Sequence, residues 1–420
     1  MTWFSAALIL AALSGQPPSN RQLQGQADSS GITVYLLTFD PGEALWERFG
    51  HNALWIRDSV AGTDWAYDYG RFSFGRTLAQ RLAFFGRFAH GEPLYSMGDG
   101  DVRAYLAAYQ EAGRSIWSQE LDLPQAARRE LKDFLLWNIQ EQNKYYPYNY
   151  YLDNCSTRLR DAIDRAVGGQ LKTWAEGVQT PWSYRDHTKR TTENDAVSRT
   201  ALMLGLGRPV DRPLTAWQEM FLPISLRPYL NQLTVKDPDG RVHPLVKAER
   251  HLVESSRFAV APVPSNWVMG YLGVGLIAGL VVLGLGGLAR SVGGWRRLFM
   301  AVVVFWSLAA GLAGAVLLGL WAFTAHRVSY WNENLLQLNV LSLALAVVAA
   351  RTHRTGRAGL ERAWRLALVV GAIGLVGLGA KVLPGSQANL DMIVLLLPVH
   401  LAVAAGLAAL RGKATPLPPS

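Results

Sequence analysis

Residues 267 to 289 read WVMGYLGVGLIAGLVVLGLGGLA, an uninterrupted run without one charged side chain. A helix rising about 1.5 Å per residue crosses the roughly 30 Å hydrocarbon core of a bilayer in about 20 residues, so this run predicts a transmembrane span. Four more apolar runs follow, at about 298 to 324, 335 to 350, 364 to 383 and 389 to 410. Alternate loops then place Arg290, Arg296, Arg297, Arg351, Arg354, Arg357, Arg362, Arg365, Arg411 and Lys413 on one side, and only Arg327 and Lys381 on the other. Basic loops stay in the cytoplasm, so the first span enters from outside and the chain before it lies across the membrane.

The charge balance supports the same division. The chain has 420 residues, 17% charged, with a net charge of +9. Residues 266 to 420 hold 12 Lys and Arg against 3 Asp and Glu, whereas residues 1 to 265 hold 29 of each sign. The basic excess therefore sits in membrane loops and not on a binding domain, which excludes reading it as a nucleic-acid footprint. A single cysteine, Cys155, excludes an intrachain disulfide framework and a thiolate metal cluster within the chain. None of the eight histidines stands in an HExxH or other metal-ligand spacing, so no metal or cofactor is expected.

Residues 2 to 14, TWFSAALILAALS, are too short to span and read as the apolar core of a signal peptide. Polar residues 16 to 30 form a leader without apolar periodicity. The expected organisation is a signal peptide and leader at 1–25, an extracytoplasmic domain at 26–265, five transmembrane helices within 266–412, and a cytoplasmic tail at 413–420.

The outer domain has an α+β pattern. ITVYLLTFD (32 to 40), HNALWIRD (51 to 58) and WAYDYGRF (65 to 72) are rich in β-branched and aromatic residues and read as strands. DGDVRAYLAAYQEAG (99 to 113), LPQAARRELKDFLLWNIQ (123 to 140, with Pro124 inside its first turn) and CSTRLRDAIDRAVGG (155 to 169) read as helices. LTVKDPDGRVHPLV, 233 to 246, reads as a hairpin turning at DPDG.

Chemistry concentrates at two points. In YYPYNYYLDNCSTRLRDAID, Asn154 is a good N-cap and places Cys155 at the first helical position. The helix N-terminus there stabilises a thiolate, and its amides can hold an oxyanion. The plainer alternative is an inert, buried thiol. A thiol nucleophile needs a base, and His51, His90, His187, His243 and His251 all share the outer domain with it. Of these, His51 in FGHNALWIRD begins a strand that would hold its ring rigidly.

The run TFDPGEALWERFGHNALWIRD, then YDYGRFSF, FAHGEPLYSM and YYPYNYYLDNCSTRLRDAI resembles the outer domain of Lnb-type lipoprotein N-acyltransferases. The membrane region, with HRVSYWNENLLQLNVLSLAL at 326 to 345, is similar to the polytopic half of that family. The resemblance implies a papain-like, permuted NlpC/P60-related fold in which the histidine precedes the cysteine. It implies Cys155 as nucleophile, His51 as base, and a third group on the following strand. Asp68 is the leading candidate for that group, with Tyr67 and Tyr69 as competitors; a plain turn-capping role for Asp68 stands equally open. The implied reaction moves an acyl chain from a phospholipid donor, through a Cys155 thioester, to the α-amine of a diacylated lipoprotein acceptor. The implied location is the bacterial inner membrane, with the catalytic domain on the periplasmic side.

Several residues have competing roles. Arg158 and Arg160 could bind a phosphate or, more ordinarily, pair with Asp161 or Asp164. Asn154 could lend an amide to the oxyanion besides capping. The tyrosines of residues 145 to 151 could line an acyl groove, although packing accounts for them more simply. His326, Asn332 and Asn334, between the second and third spans, could contact headgroup or lipoprotein, or simply belong to an interfacial loop. Two other functions remain open, a cysteine hydrolase of peptidoglycan or phospholipid, and a non-catalytic membrane scaffold.

Overall fold

The computed structural model describes residues 31–255, 257–291 and 293–411; the expected signal segment and cytoplasmic tail lie outside the described residues. The chain forms two compact units, residues 31–193 with 213–263 and residues 194–212 with 264–411. The division is therefore not a single cut at 265, because residues 194–212 leave the first unit and pack within the second.

The first unit runs β1 (Ile32–Phe39), β2 (His51–Asp58), β3 (Thr63–Arg71), α1 (Leu78–His90), β4 (Leu94–Asp101), α2 (Val102–Glu111), β5 (Ile116–Leu121), α3 (Gln125–Asn138) and β6 (Tyr145–Pro147). It continues with α4 (Cys155–Ala166), α5 (Gln170–Glu176), β7 (Gln179–Ser183) and α6 (Tyr184–Thr191). After α7 (Ala196–Gly205), which belongs to the second unit, the first resumes with β8 (Pro213–Thr215), α8 (Ala216–Glu219), α9 (Pro223–Gln232), β9 (Thr234–Lys236), β10 (Val242–Pro244) and β11 (Val246–Val253). Seven strands make one antiparallel sheet in the order β11-β5-β1-β2-β3-β4-β6.

Strand alternation sorts side chains between the two faces of this sheet. Val34, Leu36, Leu54, Ile56, Tyr67 and Tyr69 join the main core with Leu131 and Leu135 of α3 and Leu159 and Ile163 of α4. Leu37, Phe39, Ala53 and Ala66 point to the other face, where Val102 and Tyr105 of α2 cover them. The odd and even positions of β3 are thus committed to different surroundings, which decides below what Asp68 and Tyr69 can reach.

Several expected boundaries move. The helix read from residue 99 begins at Val102, because Asp99, Gly100 and Asp101 pair with Tyr67, Ala66 and Trp65 of β3, and Asp101 caps the helix through Arg103 N–H. Pro124 stands at the N-cap of α3 and not inside its first turn. The hairpin at 233–246 forms as β9 and β10, closing with Gly240 N–H on the Asp237 carbonyl and Gly240 at φ +93. Helix α1 and strands β4, β5 and β11 were not read from the sequence.

The second unit contains α7, α10 (Val268–Leu288), α11 (Gly293–Phe323), α12 (Leu341–Ala350), α13 (Thr352–Gly379) and α14 (Leu390–Arg411). Five stretches, 268–288, 293–323, 333–350, 352–382 and 390–411, are long and apolar enough to cross a membrane. Lipid gives no hydrophobic force between helices, so close backbone approach supplies the packing. A Cβ on Gly279 of α10 would come within 3.0 Å of the Pro398 carbonyl oxygen, and one on Gly286 within 2.7 Å of the Gly406 Cα, both on α14. The third span starts with 3-10 turns at Glu333–Leu336 rather than as a regular helix. In α13, Gly356 at φ +57 breaks the helix between its first turn and its apolar body.

Candidate active site

Asn154 builds the start of α4. Its Oδ1 accepts the N–H groups of Ser156 and Thr157, both at 2.9 Å, while Thr157 Oγ1 accepts the Asn154 N–H at 2.8 Å. The Asn154 side-chain amide donates to the carbonyls of Tyr150 at 2.9 Å and Phe221 at 3.0 Å. All its polar atoms are thereby committed, so Asn154 caps and anchors the helix and has no amide left to offer an oxyanion. Ser156 Oγ adds a bond to the Met220 carbonyl at 2.7 Å. Cys155 follows the cap, buried, with its own backbone N–H donating to no acceptor among the described residues. That N–H lies at the positive end of the helix dipole, where negative charge is stabilised.

His51 begins β2 opposite Phe39 of β1. Its neighbour Asn52, fully buried, locks that strand end by donating to Thr38 Oγ1 at 2.9 Å and the Leu37 carbonyl at 3.2 Å. The β2–β3 register pairs Ala53 with Asp68, so Asp68 is the diagonal neighbour of His51 on the same face. The two side chains meet, with His51 Nε2 2.9 Å from Asp68 Oδ2. Of the two roles open for Asp68, the carboxylate contacts the histidine.

Three residues missed in the sequence fix this pair. Arg71 Nε donates to Asp68 Oδ1 at 2.8 Å, the Tyr105 hydroxyl donates to the same oxygen at 3.0 Å, and Arg71 also bonds the Tyr105 hydroxyl and the Asp99 carbonyl. Tyr109, one turn beyond Tyr105 on α2, stacks against Phe39 at 3.8 Å and flanks the His51 ring at 6.2 Å. The spacing of Arg71 three residues after Asp68, and of Tyr105 and Tyr109 on one helix face, was a usable signal.

With Nε2 turned to Asp68, Nδ1 is the ring nitrogen left for the thiol, and the Cys155 side chain lies near enough to His51 to help raise its pKa. The approach is made beside Gly70, at φ +97 in a β-bulge between Tyr69 and Arg71. A Cβ there would lie 3.5 Å from Cys155 Cβ, so the strand backbone passes directly alongside the Cys155 side chain. Burial disfavours the charged imidazole, but Tyr109, Cys155 and Asp68 outweigh it and hold the His51 pKa well above 6.5. Burial likewise opposes ionisation of Asp68, yet Arg71 and His51 hold its carboxyl below the usual value. The arrangement favours an imidazolium between a carboxylate and a sulfur atom.

The other expected residues separate from this centre. Tyr69 points to the main-core face, where its hydroxyl bonds Asn138 Oδ1, so strand alternation removes it as a competitor for His51. Tyr67 is buried on the same core face. Arg158 does not pair with Asp161 or Asp164; both branches of its fork hold Asp153, at 2.6 and 2.8 Å, and its guanidinium lies 3.7 Å from the centre of the Tyr146 ring. Arg160 does pair with Asp161, at 2.9 Å, and stacks on Trp217. Neither arginine is poised for a phosphate.

Asn332 and Asn334 lie in the second unit and are buried. Asn332 donates to the carbonyls of Leu204 and Gly205, and Asn334 to those of Met203 and Leu204. These are the last carbonyls of α7, which a helix end leaves without partners, so the two amides cap that helix and offer nothing to a headgroup. Gln387 extends the clamp to the Leu206 carbonyl. His326 stands partly exposed at the head of a 3-10 turn, with its backbone N–H on Thr324 Oγ1. Among the described residues, no group of three or more His, Cys, Asp and Glu side chains could hold a metal ion.

An α+β domain carrying a cysteine, histidine and aspartate centre, followed by five membrane-spanning helices, defines a multi-pass membrane protein of two parts. The Lnb N-terminal periplasmic domain family matches residues 19–190, and the Lnb transmembrane domain family matches residues 276–411. The chain belongs to the Lnb family, and its first unit is the periplasmic domain. No curated protein and no solved structure matches it.

Proposed function

We propose that the protein is a lipoprotein N-acyltransferase of the bacterial inner membrane, with Cys155 as nucleophile, His51 as base and Asp68 as the group that orients His51. The observation that carries this reading is the Asp68–His51 hydrogen bond, with the His51 ring beside Cys155 at the capped N-terminus of α4. A cysteine on a helix N-terminus with its histidine on an adjoining sheet also supports kinship with papain-like, permuted NlpC/P60 folds.

The Cys155 thiolate attacks the ester carbonyl of a phospholipid. The carbonyl π electrons move to oxygen, where the Cys155 N–H and the start of α4 stabilise the charge. Collapse breaks the acyl–oxygen bond; His51 gives its proton to the departing glycerol oxygen, and lysophospholipid leaves a thioester on Cys155. The α-amine of a diacylglyceryl-cysteine then attacks the thioester carbonyl, His51 takes the amine proton, and the thiolate departs. Asp68 holds the imidazole orientation and balances its charge throughout. Membrane anchoring fits both substrates, since each buried methylene contributes about 0.8 kcal/mol to keeping them in the bilayer.

The test incubates a diacylated reporter lipoprotein in phospholipid vesicles with wild type, Cys155→Ala or His51→Ala, and weighs its N-terminal peptide. Addition of one acyl chain to the α-amine by wild type alone is expected. Lysophospholipid release without any gain on the reporter would replace the transferase by a phospholipase.

A further inference from the structure

Helix α1 is the anomaly of the first unit. It is well formed, with Thr77 and Gln80 making a capping box and Gly91 closing it at φ +92. Yet it buries no residue, and Phe84 alone among its side chains is partly covered. Leu78, Leu82 and Phe85, at successive turns of one face, are 72%, 63% and 54% exposed. A soluble helix with that face in water would be a liability, and a contiguous exposed apolar surface marks an interaction site.

The surroundings identify the partner's chemistry. Arg76, Arg81 and Arg87 stand on and just before this helix and make no ion pair among the described residues. An apolar face of Leu and Phe beside unpaired arginines is the composition of a helix lying in a lipid headgroup region. The same chain carries five membrane spans, so a bilayer is always at hand for this domain.

The apolar surface also leads to the nucleophile. Phe85 contacts Phe74 at 6.0 Å, Phe74 contacts Phe72 at 5.3 Å, Phe72 contacts Tyr95 at 5.0 Å, and Tyr95 stacks on Tyr148 at 4.2 Å. The Tyr148 ring and Cys155 Cβ both border Gly70, 3.9 and 3.5 Å from where its Cβ would be. Burial keeps the phenols of Tyr95 and Tyr148 neutral, so this aromatic series carries no charge to repel a hydrocarbon chain.

We propose that the outward face of α1 is a bilayer-contact surface that engages the outer-facing phospholipid leaflet and admits a donor acyl chain along the aromatic series to Cys155. The acyl part of this proposal rests on the acyltransferase reading; the bilayer contact does not.

The test uses the full-length protein in vesicles of phosphatidylethanolamine and phosphatidylglycerol containing 5-doxyl phosphatidylcholine. In a Cys155→Ser background, a nitrobenzoxadiazole maleimide is attached at Leu82→Cys or, as a control, at Val60→Cys in the exposed turn after β2. Quenching severalfold greater at position 82 than at 60 is expected, and equal quenching overturns the proposal whatever the enzyme does. In parallel, Cys155 acylation is followed by mass spectrometry in the Leu78→Glu, Leu82→Glu double variant, which leaves the aromatic series intact. A fall of about tenfold or more with vesicle phospholipid is expected, with p-nitrophenyl butyrate, which needs no bilayer, reacting within about twofold of wild type. Wild-type rates from phospholipid in the double variant overturn the route along α1. Quenching at position 82 in the labelled variant, together with a wild type that takes no acyl chain from phospholipid, overturns the acyltransferase reading and leaves the bilayer contact established. Quenching that falls to the level of position 60 when a soluble lipoprotein peptide is added to the same vesicles assigns the face to that peptide and overturns the proposal.

Discussion

Asp68 receives Arg71 and Tyr105 on one oxygen and His51 on the other, so one carboxylate orients the His51 imidazole and favours its charged form. The raised His51 pKa contributes stability that is complete below about 6.5 and is lost as pH rises through the folded value. The lowered Asp68 pKa contributes stability that is present above about 3.8 and is lost as pH falls through its folded value. The pair is thus intact between those two limits. In Asp68→Asn the acceptor charge is gone while the shape remains, so the 15N-imidazole titration of His51 in detergent should move to lower pH, and transfer should slow by about 10² to 10⁴. An unmoved midpoint with full activity would remove Asp68 from the centre. At this scale Cys155 and its Asn154 cap were legible from local sequence. The match of Asp68 to His51 was not, because it depends on strand register, and a shift of one residue would have presented Tyr67 or Tyr69 instead.

Elements were legible where the signal is local and strong. The five apolar runs and the first two strands needed only hydropathy and alternation. Strands β4 and β5 were missed because LYSMGDGD and IWSQEL carry polar and glycine residues that the neighbouring strands accommodate by pairing. Helix contacts in the membrane were also invisible, since glycine-rich sequence shows no preferred face. On α10, a Cβ at Gly286 would meet the Gly406 backbone at 2.7 Å, whereas one at Gly284 meets nothing within 4 Å. Gly286→Val should therefore lower the melting temperature of the detergent-solubilised protein by several degrees, at a cost of about 1–3 kcal/mol, while Gly284→Val stays close to wild type. Equal effects of the two would mean that helix propensity, and not the α10–α14 approach, sets the cost.

For the whole molecule, orientation follows from charge. Arg351, Arg354 and Arg357 crowd one connection, whereas the loop from Leu383 to Asn389 contains no Lys or Arg. In spheroplasts carrying Cys155→Ser, a membrane-impermeant maleimide should label Leu383→Cys and spare Thr355→Cys until the membrane is permeabilised. The reverse pattern would invert the topology and place the Cys155 domain in the cytoplasm. By itself the sequence determined the membrane spans, their orientation, the α+β class of the outer part and a capped cysteine, because each depends on composition or on neighbours within a few positions. Only the tertiary structure decided that residues 194–212 belong with the membrane helices, that Asn332 and Asn334 cap α7, that Arg158 serves Asp153, and that α1 is left uncovered. Those facts join residues far apart in the chain, and periodicity tells which side of an element is apolar without telling what that side will meet.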